Sequence, residues 1–339
     1  MKRTSRVAAC GATGLLVMLA AACSAASGSD STAAGHAAYT QLTVSQAYSA
    51  FTAFLPKFSD LSAHPADIGK VTTGPETAVV TASKGAAGPA VSDVTNTQII
   101  VPKLTSYPRW FVAGGTNSTT GQGVVFVLVQ HASGAPWKET AELYDLGTQA
   151  QIMPDLAAAG FGATATTQTE PDQGASLAMQ PAQLPAAYAQ YLNDGGAGAQ
   201  NGKFKAGSDT TGLIKLEHTA AKGAPRAGWK YTDSQAADGL PEYSLRLPGG
   251  RGAAVIFFTI DTATWTASSA RARIPAANYA GLSLPPLSIL QALGITSVHR
   301  GLRVSVEAVD ENLAFVGPPG ASAVEVAANV GRAFKLSEG

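Results

Sequence analysis

Residues 43–58, TVSQAYSAFTAFLPKF, decide how the chain is read. Thr43 and Gln46 stand at capping-box spacing, where the hydroxyl accepts a backbone N–H of the first turn and the amide reaches back to the cap. Behind them Val44, Ala47, Tyr48, Phe51, Phe54, Leu55 and Phe58 recur at helical spacing, giving a continuous aromatic face. Pro56 lacks an N–H and disfavours a helical Leu55, which predicts an end or kink near Phe54.

A second stretch, LPAAYAQYL at 184–192, starts its helix at Pro185 and stops it at Asn193-Asp194-Gly195-Gly196. Its Ala187-Tyr188-x-x-Tyr191 echoes Ala47-Tyr48-x-x-Phe51 at an offset of 140 residues. Each helix is followed by two β-rich runs separated by glycines: 109–112 with 124–129, and 243–247 with 253–260. Such pairs read as hairpins, and a tryptophan follows each, Trp137 and Trp265. Strands at 98–101 and 138–144 complete a first sheet. In the second half, runs at 302–309 and 313–316 predict a hairpin turning at Asp310-Glu311-Asn312. Residues 323–334 predict a closing helix with Val326, Val330 and Phe334 on one stripe. Alternation in Arg303-Val304-Ser305-Val306-Glu307 predicts a sheet with one wet face. The expected fold is α+β, in two similar halves, each an N-terminal helix packed on a curled antiparallel sheet. This order resembles the cystatin-like cone of the nuclear-transport-factor-like superfamily, at the level of element order.

Residues 1–22 have the zones of an export signal: Lys2, Arg3 and Arg6, an apolar core around 15–19, and Ala20-Ala21-Ala22 before Cys23. The apolar stretch is short for a permanent span. Cys10 lies inside the signal, so no disulfide forms in the mature chain. The small residues ending at Cys23 resemble a bacterial lipoprotein signal, with Ala20 where that family favours Leu. The resemblance implies a diacylglycerol thioether on Cys23, and stable attachment needs more than one acyl chain. The Ala/Gly-rich chain as a whole resembles uncharacterised exported lipoproteins of actinobacteria. The expected parts are a signal at 1–22, a flexible tether at 23–38, an α+β domain at 39–160, a linker at 161–181 and a second α+β domain at 182–339.

Lys+Arg 23 balances Asp+Glu 23. With no basic cluster beyond the signal, nucleic acid is excluded as a partner. No Gly-x-Ser-x-Gly, Ser-x-x-Lys or Lys-Thr-Gly appears. Cys23 is the only cysteine after the signal, which excludes a Cys–His mechanism. The histidines, at 36, 64, 131, 218 and 299, lack metal-ligand spacing, so neither metal nor cofactor is expected. Glu139 with Glu142, and Asp310 with Glu311, are the paired acids. The first pair, three apart on a strand, should face opposite ways and the second should sit in a turn, so both read as solvated charge.

Tyr48, Phe51, Trp110, Phe126, Tyr188, Tyr191, Phe257 and Trp265 remain as the lining of a helix–sheet cavity or as core. The expectation is a non-enzymatic binding or interaction module on the outer face of the cell membrane. Its partners would be the membrane, through the anchor, and an envelope protein. The alternative is a carrier of a lipid or small apolar ligand.

Overall fold

Helix α1 (Val44–Ser59) opens on the capping box: Thr43 Oγ1 accepts from Gln46 N at 3.2 Å, and Gln46 Oε1 accepts from Thr43 N at 2.9 Å. Ala47, Phe51, Phe54 and Phe58 form its buried face. Of the end or kink predicted near Phe54, the end is corrected, because the helix runs through Pro56 to Ser59. Phe51, Phe54 and Phe58 all pack on Phe126, with ring centroids 5.7, 6.0 and 5.9 Å away. Burying three such rings contributes roughly 2 kcal/mol each, more than the ~3 kcal/mol an internal proline costs.

The structure is a computed structural model that describes residues 40–85, 94–145, 152–161, 167–169, 177–237, 239–275, 285–321 and 323–339. Cys23, the expected signal at 1–22 and the expected tether at 23–38 lie outside the described residues. Two short helices, α2 (Ile68–Val71) and α3 (Pro75–Ala82), lead into β1 (Val94–Pro102), β2 (Arg109–Asn117), β3 (Gly123–Gln130) and β4 (Lys138–Tyr144), an antiparallel meander. After α4 (Ile152–Ala158), β5 (Thr167–Thr169) joins β1 in parallel, so the first sheet has the order β4-β3-β2-β1-β5.

Helices α5 (Leu184–Asn193) and α6 (Leu213–Gly223) precede β6 (Trp229–Thr232), β7 (Gln235–Ala236), β8 (Tyr243–Arg246) and the long β9 (Ala253–Ala267). A short α7 (Leu287–Ala292) is followed by β10 (Arg303–Val316) and β11 (Glu325–Glu338). The second sheet has the order β11-β10-β9-β6, with β7 and β8 also paired to β9. The α+β class holds, and neither sheet closes into a barrel.

Two predictions in the second half are corrected. Strand β10 is continuous, pairing Asp310, Glu311 and Asn312 with Thr259, Phe258 and Phe257 on one side and with Gly331, Val330 and Asn329 on the other. Polar partners across the ladder make this possible, as when Asn329 donates to Asn312 Oδ1 at 2.8 Å. Residues 323–334 contribute to a strand instead of a helix. Val326, Ala328, Val330 and Arg332 are buried in strict alternation, and a spacing of four satisfies the strand period as well as the helical one.

Side-chain parity assigns the layers. Ile99, Val101, Phe111, Phe126 and Leu128 face α1. Ile100, Trp110, Val112, Val125 and Val127 instead pack with Tyr243, Leu245, Ile256, Phe258, Val309 and Val330 of the second sheet. Val255, Phe257, Ala314 and Val316 then face α5. The sheets are therefore stacked face to face, with a helix on each outer surface. The single wet face predicted from 303–307 is confined to that end of β10, since its later residues are covered on both sides. Val304, Val306, Trp229 and Trp265 join a further cluster with α6 and α7.

The domains expected at 39–160 and 182–339 meet a single compact unit, Tyr39–Gly339. Within the expected linker, Phe161 is buried in the shared core and β5 extends the first sheet. Among the described residues no helix is long and apolar enough to cross a membrane.

Candidate functional site

The C-terminal end of α5, one face of α6 and the end of β6 enclose an open cleft of about 320 Å³. Leu192, Asn193, Asp194 and Gly195 come from α5 and the turn after it. Ile214, Glu217, His218 and Ala221 come from α6, at the spacing that puts them on one face. Tyr231, Thr232 and Asp233 close the third side. Asn193 pins α5 to β7, donating to Gln235 O at 2.7 Å and accepting from Gln235 N at 2.8 Å.

Two carboxyls of the cleft wall, Glu217 and Asp233, form a row with Asp261, which lies outside that wall. Asp233 shares a hydrogen bond with Glu217 and another with Asp261 of β9, and each such bond needs a proton between two acids. Burial first, then the charge and hydrogen bond of Asp233, push Glu217 up to about 8. Burial, followed by Asp233 and then Asp310 and Glu217, pushes Asp261 up to about 10. Asp310, raised by burial to about 6, accepts from Gln235 Nε2 at 3.1 Å. No basic side chain pairs with Glu217, Asp233 or Asp261 among the described residues.

Several oxygens at this place are left over. One oxygen each of Asp233 and Asp261, Oε1 of Gln235 and the Tyr231 hydroxyl are buried with no hydrogen-bond partner among the described residues. Tyr231 is 6% exposed, and its hydroxyl is raised by burial and then by the charges of Asp233, Asp261 and Glu217. The cleft wall thus sets Glu217, Asp233 and Tyr231 beside His218 and an aliphatic surface from Leu192, Ile214 and Ala221. That combination suits a cation carrying an aliphatic part.

A second polar cluster is sealed between the sheets. Arg332 of β11 donates through Nη1 to Glu76 of α3 at 3.0 Å and to Glu142 of β4 at 2.9 Å, and through Nη2 to Glu76 and to Glu311 of β10. The Glu142 backbone N–H donates to Glu311 Oε2 at 2.6 Å. The reading of Glu139, Glu142, Asp310 and Glu311 as solvated charge is corrected, because all four are buried. Glu139 and Glu142 were expected on opposite faces, but the β3–β4 register slips between Val127 and Leu128, which pair with Ala141 and Glu139. The bulge inserts one residue and returns both glutamates to one cluster. Burial, then Glu76 and Glu142, holds Glu139 well above the usual glutamate range.

The aromatic residues proposed as a cavity lining are spread over four cores. Phe51 and Phe126 pack together under α1, and Trp110 packs edge-on against Tyr243 between the sheets, 5.1 Å away. Tyr188 meets Phe257 at 5.6 Å beneath α5, with Tyr191 reaching the same group through Phe204. Trp265 lies under α6, whereas Tyr48 is 48% exposed. The contacts pair Phe51 with Tyr188 as the residues each helix places on its sheet, three positions from the echo of Tyr48. Cys23, the predicted lipidation site, lies outside the described residues.

The cleft's acids were not singled out from the sequence. Asp261 left a trace, as a lone acid inside the apolar run AVIFFTIDTATW at 254–265, where a surface role is hard to arrange.

Residues 68–330 match the family described as Domain of unknown function (DUF8094). The chain belongs to that family. The family's span takes in the first sheet, the second sheet as far as Val330 of β11, all the cleft residues and the buried Glu76, Glu139, Glu142 and Glu311, and leaves out α1 and Arg332. No curated protein and no solved structure matches the chain.

Proposed function

We propose that this is an exported protein, held on the outer face of the cell membrane by lipid on Cys23, that works as a non-catalytic binding module for a small organic cation. The observation that carries the binding site is the hydrogen-bonded row Glu217–Asp233–Asp261, which reaches the cleft through Glu217 and Asp233 and has no basic side chain paired to it among the described residues. An ammonium group entering the cleft donates to the carboxyls of Glu217 and Asp233 in its wall and displaces a proton. Glu217, at about 8, yields that proton near neutral pH more readily than Asp261, at about 10. Leu192 and Ile214 accept the aliphatic part of the ligand. The apolar-carrier alternative draws no support from the aromatic residues, which pack against one another in separate cores. The anchor rests on the three-zone signal ending at Cys23, and family membership fits the absence of an assigned activity without pointing to one.

Isothermal titration with n-butylammonium and 1,5-pentanediammonium chlorides, in two buffers of different ionisation heat, tests the site. Binding should release protons and weaken at least tenfold in Asp233→Asn. Absence of binding to either amine, or equal binding by the variant, would remove the cleft from this role. The anchor is tested separately by mass spectrometry of the N-terminal peptide from membrane fractions, where a diacylglyceryl group on Cys23 is expected and an intact leader refutes it.

A further inference from the structure

Outside the cleft, the least satisfied polar group of the described chain is Glu139. It is fully buried, and neither carboxylate oxygen has a hydrogen-bond partner among the described residues. Oxygens of Glu76, Glu139 and Glu142 lie within 4.8 Å of one another. Arg332 hydrogen-bonds Glu76 and Glu142 but not Glu139. A proton on Glu139 would reduce the charge, yet it would be a buried donor with nothing to receive it. Four glutamates, Glu76, Glu139, Glu142 and Glu311, surround this single guanidinium, so negative charge is in excess unless a further positive species is held.

The geometry points to a hard divalent cation, with calcium the best fit, bound by one oxygen each from Glu76, Glu139 and Glu142 between the two sheets. Three oxygens no more than 4.8 Å apart leave a central point at most about 2.8 Å from each of them. Calcium–oxygen bonds of about 2.3–2.6 Å fall within that limit, and magnesium, which dehydrates reluctantly and keeps several waters, is disfavoured by three fully buried ligands. An all-carboxylate donor set favours such hard ions over zinc or copper. Arg332 then acts as the neighbour that fixes the orientation of Glu76 and Glu142. The ligands come from α3 and β4, and the site is closed to solvent, so the ion enters as the chain folds and its affinity adds to stability. This inference depends neither on the anchor nor on the amine cleft.

The test uses the full chain. After dialysis against buffer supplemented with about 1 mM CaCl₂ or MgCl₂, and then removal of unbound ions, bound metal is counted by inductively coupled plasma mass spectrometry, and thermal unfolding is followed with and without EDTA. One calcium per chain and a lower unfolding midpoint in EDTA are expected. Glu139→Gln should lose the ion and the EDTA response, while Asp233→Asn, in the cleft, should keep both. Metal-free wild-type protein whose midpoint ignores EDTA overturns the inference, as does an ion retained by Glu139→Gln or lost from Asp233→Asn. Should Glu139→Gln fail to fold, the wild-type count and its EDTA response decide the matter.

Discussion

Replacing Asp261 by Asn should make the protein more stable at neutral pH, against the usual direction for a buried polar residue. Asp261 is held near 10, against an ordinary aspartate value near 4, by burial and by Asp233. Its folded-state value is raised, so its contribution is most favourable below about pH 4 and is lost as pH climbs towards about 10. Each pH unit in that window costs about 1.4 kcal/mol, and from pH 4 to pH 7.5 the full cost is roughly 5 kcal/mol. Asp261 is not sealed from water, and screening reduces this to about 2–4 kcal/mol. Asparagine keeps the shape of the protonated acid and donates to Asp233 as the acid does, but holds no titrating proton. Urea unfolding followed by tryptophan fluorescence should therefore show Asp261→Asn close to wild type at pH 4 and about 2–4 kcal/mol more stable at pH 7.5. An equal effect at both pH values, or a loss of stability at pH 7.5, refutes the protonated-carboxyl reading of the cleft.

Phe126→Ala removes the ring on which Phe51, Phe54 and Phe58 converge and should cost about 3–5 kcal/mol, measured by the same unfolding experiment. Unchanged stability would mean that α1 does not depend on this contact. Gly252, before β9, has φ +121°, and a Cβ there would stand 2.0 Å from Val316 O. Gly252→Ala should thus lower the unfolding midpoint by several degrees, more than the roughly 1 kcal/mol of an ordinary glycine replacement. A midpoint within a degree of wild type would contradict the close approach of the β8–β9 turn to β10.

The parts of the fold that were legible in sequence are those where local and tertiary signals agree. Thr43 and Gln46 announce α1, and Gly249–Arg251 with Gly252 mark the turn between β8 and β9, because cap and turn chemistry act within a few residues. Asp310-Glu311-Asn312 looked like a turn since nothing nearby reveals that Gln235, Arg332 and Asn329 will meet them across the ladder. Val326, Val330 and Phe334 fit both periods, and only the burial of Ala328 and Arg332 separates them. The buried glutamates were hidden by a bulge, which no local residue choice in β4 advertises. The cleft joins Glu217 to Asp233 and Asp261 from three separate elements, so its acids could not be grouped before the fold was known.

The stacking of the two sheets bears on how the molecule is made. A ribosome releases Trp110, Val112, Val125 and Val127 long before β8 to β11 exist to cover them. The nascent first half is consequently an adhesive object, and its shelter arrives strand by strand from β8 to β11, the last of these also bringing Arg332 to the waiting glutamates. Whatever cellular machinery handles this polypeptide must keep it from self-association until β8 to β11 have been made.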